Sequence, residues 1–413
     1  MDAKTMTASA ARRMMQRLDD FARFTDEEGR LTRLFLSKAH GAAARQFLAW
    51  CNEAGLNARI DASGNVIARY EGKRQDAPAL MLGSHIDTVR NAGRYDGNLG
   101  AMAALAVVEA LSAGGERFDH AVEIVAFGDE EGVRFPTTLT GSRAFAGLFE
   151  PSALDQKDAD GVTMREALTA FGCDSTAVAK LRARNVAAFV ELHIEQGPVL
   201  ESESLAVGVV TAINGATRFH AAVKGEAGHS GAVPMNLRRD ALTASAEMML
   251  LIEARARIED DLVATVGRVD IDPGAVNVIP GEVRFTIDIR APRDERRQRA
   301  VADISKRLAA IASERKAHLA LTQTHEAAAY TCHPAIVGAL KESVERVYAA
   351  PARLLPSGAG HDTMIMGQLC PAGMLFLRCK GGISHNPEES ITTEDAEIGL
   401  AALIDFTRRF KAP

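Results

Sequence analysis

Residues 79–89 read ALMLGSHIDTV: a short apolar run closed by a glycine, then Ser84, His85 and Asp87. A continuous apolar stretch of this length predicts a strand buried on both faces that feeds a loop. The next segment, 97–113, is rich in Ala, Leu and Val and predicts a buried helix. Residues 121–127 (AVEIVAF) predict a second strand, ending at Gly128-Asp129-Glu130-Glu131-Gly132, and 187–192 (AAFVEL) a third, ending at His193. Upstream, 12–24 and 32–55 carry helical patterning. Strands alternating with helices predict an α/β fold whose sheet is flanked by helices on both faces. Ligands in such sheets gather beyond the carboxyl ends of the strands, which is where His85, Glu130, Glu131 and His193 fall.

The pattern changes near Gly215. Strands are expected at 218–224, 262–269, 283–290 and 319–324, with helices at 240–257 and 295–312, a β-α-β-β-α-β order of about a hundred residues, an ordinary domain size. After Ala327 the chain returns to helix (334–348), helix or turn (361–368), strand (373–377) and a last helix (393–410). The expectation is a catalytic domain made of 1–214 and 327–413, with 215–326 inserted as a smaller α+β, ferredoxin-like domain.

Composition narrows the function classes. A chain of 413 residues exceeds the usual reach of one core, and a hydrophobic share of 47% excludes general disorder. The formal net charge is -6 with Lys and Arg scattered, so no basic field invites nucleic acid or an anionic membrane. Cys51, Cys173, Cys332, Cys370 and Cys379 are odd in number and widely spaced, which fits a reducing cytoplasm. The first twenty residues hold no apolar run of signal-peptide length, and the mostly apolar stretch around 99–111 is too short to span a bilayer.

Histidine with carboxylate is the chemistry-bearing set. His85 ends the first strand and His193 the third; Glu131 follows the second; Asp96 lies in RYDGNLGA just before a helix; His385 lies in ISHNPEE beyond the strand at 373–377. A lone histidine is more often a satisfied interior or surface residue, but five such groups at separate strand ends can converge on one crevice. Imidazole nitrogens and carboxylate oxygens suit Zn²⁺, and also Mn²⁺ or Co²⁺. One carboxylate can bridge two ions roughly 3.5–4 Å apart. Asp87 is expected to fix the imidazole tautomer of His85. On an extended segment neighbouring side chains diverge, so Glu131 would ligate while Glu130 faces water as a general acid–base.

Together GSHIDTV, YDGNLGA, GDEEGVRFP, ELHIEQGP, GEAGHSGAVPMNLRRDAL, VNVIPG, GAGHD and ISHNPEE resemble, in order, the amidase, hydantoinase/carbamoylase family, a branch of the M20 metallopeptidase clan. The resemblance runs from about Gly83 to Glu389. It implies a zinc-peptidase-like catalytic domain with a mixed sheet, an inserted lid domain, and a homodimer. It assigns His85 and His193 to one ion, Glu131 and His385 to a second, Asp96 as the bridge and Glu130 as the base. His193 stands where peptidases of the clan more often carry an acid, which implies a ureido-acid amidohydrolase acting on an N-carbamoyl-L-amino acid. An allantoate amidohydrolase stays open, and behind it a dipeptidase, an aminoacylase or a non-enzymatic metal-binding protein.

The same resemblance extends to the substrate. In VRFTIDIR, 283–290, alternation puts Phe285, Ile287 and Ile289 on one face and Thr286, Asp288 and Arg290 on the other. Arg290 with Asn277 is expected to clamp a substrate carboxylate, although pairing of Arg290 with a nearby Asp is the plainer alternative. His229 is expected to donate to the developing oxyanion in the partner subunit's site. Gln196, His220 and Gly360 are further substrate candidates. His361 and Asp362 receive no role, and His40, His120, His318, His325 and His333 are read as structural or exposed.

Overall fold

The computed structural model describes residues 3–413. The chain divides into two units: one of residues 1–211, 332–355 and 361–413, the other of 212–331 and 356–360. The second therefore interrupts the first in sequence and includes the short segment that precedes His361.

The first unit is built on a mixed sheet. Its strands run in the order Asn57–Ile60, Val66–Tyr70, Ala121–Phe127, Ala79–His85, Val186–Ile194, Ala372–Leu377, Val207–Ile213. The four central strands, Ala121–Phe127 to Ala372–Leu377, are mutually parallel, and the flanking ones antiparallel. Every residue of Ala79–His85 is buried, which is why that strand reads as an unbroken apolar run. Four parallel strands place His85, the segment after Phe127, His193 and the segment after Leu377 at one edge of the sheet.

Helix Asn98–Ala113 lies on this sheet and is buried almost all round, as its uniform apolar composition requires. Gly100 is what lets it approach: a Cβ there would meet the Leu192 carbonyl at 2.4 Å and the Ser84 Cβ at 2.6 Å. The helices Lys38–Glu53 and Thr393–Arg409 are each N-capped by a hydroxyl, Ser37 onto the His40 amide and Thr392 onto the Asp395 amide. The helix expected over 32–55 begins only at Lys38 because Ser37 caps it and Leu36 takes a positive φ of 56°. The helix expected over 12–24 is observed as Ala3–Phe21. Strands Asn57–Ile60, Val66–Tyr70, Val207–Ile213 and Arg353–Ser357 escaped the sequence reading, as did the two-residue strands Gly228–His229, Val278–Ile279 and Tyr330–Thr331.

In the second unit the strands Val269–Asp272, Glu282–Ala291, Gly215–Lys224 and His318–Ala327 pair in that order, all antiparallel. The strand expected over 262–269 is in fact two, Val263–Thr265 and Val269–Asp272, both paired to Glu282–Ala291. Helices Ala241–Ala256 and Asp294–Glu314 share a core with one face of this sheet, around Phe219, Val223, Phe285, Ile287 and Met248. The alternation in Glu282–Ala291 is as the sequence predicts: Val283, Phe285, Ile287 and Ile289 are buried, Thr286, Asp288 and Arg290 half-buried.

Replacing Gly100 by Ala tests the helix-on-sheet contact. Overpacking at such a site is expected to cost about 1–3 kcal/mol in urea unfolding, outweighing the roughly 1 kcal/mol that Ala gains in helix propensity. A more stable variant would show that the contact has slack.

Candidate metal centre

Asp96 sits between the strand ends. Its Oδ1 lies 3.4 Å from His85 Nε2 and 3.2 Å from His193 Nε2, and its Oδ2 3.5 Å from His385 Nε2. His385 Nε2 is also 3.5 Å from Glu131 Oε2. The sequence-predicted five thus form two overlapping groups, His85–Asp96–His193 and Asp96–Glu131–His385, with their potential ligand atoms within 4.8 Å of one another. Asp96 is common to both.

Each imidazole of the buried pair is held by backbone. His85 Nδ1 is 3.1 Å from the Asp87 carbonyl, and His193 Nδ1 2.9 Å from the Ile194 carbonyl. Nδ1 donates in both, which turns Nε2 toward Asp96: with a proton it pairs with the carboxylate, and without one it presents a lone pair to a cation. The Gly97 amide points at the same nitrogen of His193, 3.2 Å away, and donates to it in the deprotonated form. Gly97 also has a positive φ of 64°, and a Cβ there would lie 2.3 Å from the His85 ring, so only glycine fits.

Asp87 reaches His85 through both its main chain and its side chain. The His85 tautomer is set by its carbonyl, while its carboxylate stands 3.6 Å from His85 Nδ1 and accepts the amides of Glu130 at 3.1 Å and Glu131 at 3.2 Å. The two glutamates are accordingly not on an extended segment. Asp129 has a positive φ of 63°, its carboxylate takes the hydroxyls of Thr137 and Thr140, and the chain bends through Glu130 and Glu131 around Asp87. Both glutamates come near His85, with Glu130 Oε2 at 3.9 Å from Nε2.

Three residues outside the predicted ligand set hold Asp96. Glu389 Oε1 accepts the amides of Tyr95 at 2.7 Å and Asp96 at 3.0 Å. The Gln196 amide donates to Asp96 Oδ2 at 2.7 Å, so its donor group serves the cluster, and the Ser384 hydroxyl donates to the same oxygen. Glu191, buried in mid-strand, accepts from the Ser84 hydroxyl at 2.6 Å and from Thr363 Oγ1 at 2.7 Å. His361 is buried with its ring edge-on to His193 at 4.6 Å, and with Glu191 and His193 it forms another group of metal-ligating type. Glu389 stood in the quoted ISHNPEE motif, but nothing in sequence ties it to residues 95 and 96.

The electrostatics show that the residues fit a cation. Burial and the neighbouring Asp96 push Glu131 up to about 8, and burial with Asp96 pushes Glu389 up to about 7. Burial and the adjacent Glu131 carboxylate raise Glu130 well above its usual range, His85 only partly opposing. Asp96 goes the other way: burial opposes its charge, but His193 and His85 hold it well below the usual range. Burial and Glu191 push Asp362 up to about 8. Glu131 Oε1 is buried without a hydrogen-bond partner. Crowded, desolvated carboxylates facing imidazole lone pairs are the donor set that divalent ions such as Zn²⁺ or Mn²⁺ satisfy.

The predicted substrate residues Arg290, His220, His229, Asn277 and Gly360 belong to the second unit. Arg290 and His220 line one cavity of about 600 Å³. Arg290 is paired with Asp288, Nε to Oδ1 and Nη2 to Oδ2, both at 2.9 Å. The carbonyl it meets, at 2.7 Å, is that of Gly358 and not of Gly360. Exposed Asn277 and His229 are neighbours through the Ser230 amide, which donates to the Asn277 carbonyl at 3.0 Å.

Changing Glu389 to Ala should lower metal affinity by about 10–100-fold, since two amides that orient Asp96 lose their acceptor. Competition with a chromophoric chelator reads this directly, and an unchanged affinity would mean Asp96 is positioned without it.

The model of Peptidase family M20/M25/M40 matches residues 81–409. The chain is 39% identical to an N-carbamoyl-L-amino acid amidohydrolase of Geobacillus stearothermophilus, over 95% of this chain and 96% of that one. It is also 39% identical to a probable allantoate deiminase of Oryza sativa subsp. japonica, over 94% of this chain and 86% of that one. Among solved structures, a hydantoinase/carbamoylase family amidase from Burkholderia multivorans superposes with a TM-score of 0.91 at 35% identity, covering 96% of each chain. All five predicted ligands and Glu130 fall inside the matched segment, and the chain belongs to peptidase family M20/M25/M40, among the amidases of the hydantoinase/carbamoylase family.

Proposed function

We propose that the protein hydrolyses the ureido group of an N-carbamoyl-L-amino acid, consuming one water and releasing the amino acid, carbon dioxide and ammonia. That it is an amidohydrolase of non-peptide C–N bonds follows its family; the choice of substrate is our reading. The observation that carries it is the Glu130 carboxylate, desolvated, 3.9 Å from His85 Nε2 and grouped with His85 and Glu131, beside the two groups that Asp96 joins. His85, Asp96 and His193 would hold one divalent ion and Asp96, Glu131 and His385 a second, with Zn²⁺ the first choice. When bound, such ions polarise a carbonyl and lower the pKa of water.

The chain's own residues do the rest. Glu130 takes the proton of the attacking water on its carboxylate and returns it to the departing nitrogen. Asp87 keeps Glu130 in reach by holding its amide. Arg290 receives the substrate carboxylate, with Asn277, His220, Gln196 and Gly360 as further contacts. His229 Nδ1 accepts from the Gly231 amide at 3.1 Å, so its proton is on Nε2, where it can donate to the developing oxyanion. Our reading makes the protein a homodimer to whose sites His229 contributes. It also places the protein in the cytoplasm, where its five unpaired thiols are stable. Among the described residues no helix is long and apolar enough to cross a membrane. The allantoate reading stands beside this one, since a relative named for it is equally identical.

Ammonia release from a panel of N-carbamoyl-L-amino acids, allantoate and dipeptides decides between them, with allantoate as the sole substrate overturning the first choice. Glu130→Gln should abolish turnover while elemental analysis still finds the ions; persistent turnover would remove Glu130 from its role. His229→Ala is expected to lower kcat by about 10²–10³ with metal retained. Sedimentation should give a dimer, and a strictly monomeric active enzyme would contradict the role of His229.

A further inference from the structure

The polar face of the second unit's sheet carries a feature that a simple clamp does not need. Asp288 binds two guanidiniums at once. Its Oδ1 accepts Arg290 Nε and its Oδ2 accepts Arg290 Nη2, each at 2.9 Å, and Oδ2 also accepts Arg218 Nε at 2.9 Å. The three residues come from paired strands, with Asp288 directly opposite Arg218. All three line the cavity of about 600 Å³ together with His220, Thr286, Thr324 and Gly358. Among the described residues that line it, no other Asp, Glu, Lys or Arg is present.

Arginine has five N–H donors in a planar fork. Two of those of Arg290 go to Asp288, and one on Nη1 goes to the Gly358 carbonyl at 2.7 Å. One N–H is left on each terminal nitrogen, the number a carboxylate uses in a bidentate pair. Pinned on both sides, the plane of the guanidinium cannot turn about its long stem. Two cations sharing one carboxylate also leave the cluster with a single positive charge.

We propose that Asp288 is a positioning residue that aims the free donors of Arg290, and that with Arg218 it sets the cavity to one net positive charge, selecting ureido acids with one carboxylate over those with two. This rests on the reading of Arg290 as the carboxylate clamp. A second acidic group would bring a second negative charge to a cluster already neutralised by the first, and Asp288 would repel it at close range.

The test uses the full-length, metal-loaded enzyme with N-carbamoyl-L-alanine or allantoate as the one-carboxylate substrate, whichever the wild type hydrolyses, and N-carbamoyl-L-aspartate as the two-carboxylate one. Asp288→Asn should raise KM for the first about tenfold while kcat stays within about twofold, the mark of lost ground-state orientation. The same variant should improve the relative kcat/KM for the second by about fivefold or more, because a negative charge has been removed. Asp288→Glu keeps the charge and both acceptors and should recover most of the KM, with melting temperatures confirming that each variant folds. Arg218→Gln should move the preference the opposite way, further against the two-carboxylate substrate. An unchanged KM and unchanged preference in Asp288→Asn overturn the inference. Arg290→Gln separates this from the failure of the clamp itself: if that variant keeps a wild-type KM the clamp is wrong, and if it loses affinity while Asp288→Asn does not, only the positioning role is wrong. Should neither one-carboxylate substrate be hydrolysed, both readings fall together.

Discussion

A buried carboxylate shared by three imidazoles is the constraint from which the first unit is organised. Asp96 has one oxygen against His85 and His193 and the other against His385. Desolvating a charge at this depth is costly unless it is matched by opposite charge and by hydrogen bonds. The matching groups come from separate strands and from the segment after the last central strand, so the parallel sheet must bring its carboxyl ends to one edge before Asp96 is satisfied. The tight approach of helix Asn98–Ala113 through Gly100, and the glycine at 97, follow from placing Asp96 just ahead of that helix and over the His85 ring.

Around this point the backbone departs from regular structure where the side chains need it. Asp129, Gln196 and His385 all take positive φ values, of 63°, 57° and 56°. Non-glycine residues pay for such conformations, and they persist where surrounding contacts over-determine them. Each of the three is so held or adjoins the cluster: Asp129 by two threonine hydroxyls, Gln196 by Asp96, His385 between Asp96 and Glu131. The carboxylates of Glu389 and Asp87 then accept backbone amides, fixing where Asp96 and the two glutamates point.

The ligands were legible because each ends or follows a segment with a strong pattern: His85 closes a wholly buried strand, and His193 sits one residue inside the end of another. The strands that were missed lack that pattern. Val66–Tyr70 is five residues broken by Arg69, whose charge is taken up by Glu71 and Glu123, and Val207–Ile213 contains Gly208, which reads as a loop until its packing against Leu355 and Leu200 is seen. The bend at Glu130 and Glu131 was missed because its cause, the Asp87 carboxylate, lies more than forty positions away. Alternation in Glu282–Ala291 placed Asp288 and Arg290 on one face, but sequence could not say that they pair with each other and with Arg218.

The hydrogen bonds from Tyr95 and Asp96 to Glu389 join positions 294 and 293 residues apart. On a ribosome, His85, Asp96 and His193 are all made well before His385 and Glu389. Asp96 therefore waits through 293 further residues of synthesis for the acceptor that orients its amide. A nascent chain without residue 389 holds the amides of Tyr95 and Asp96 without their acceptor, so the site closes only once that distant segment has been made.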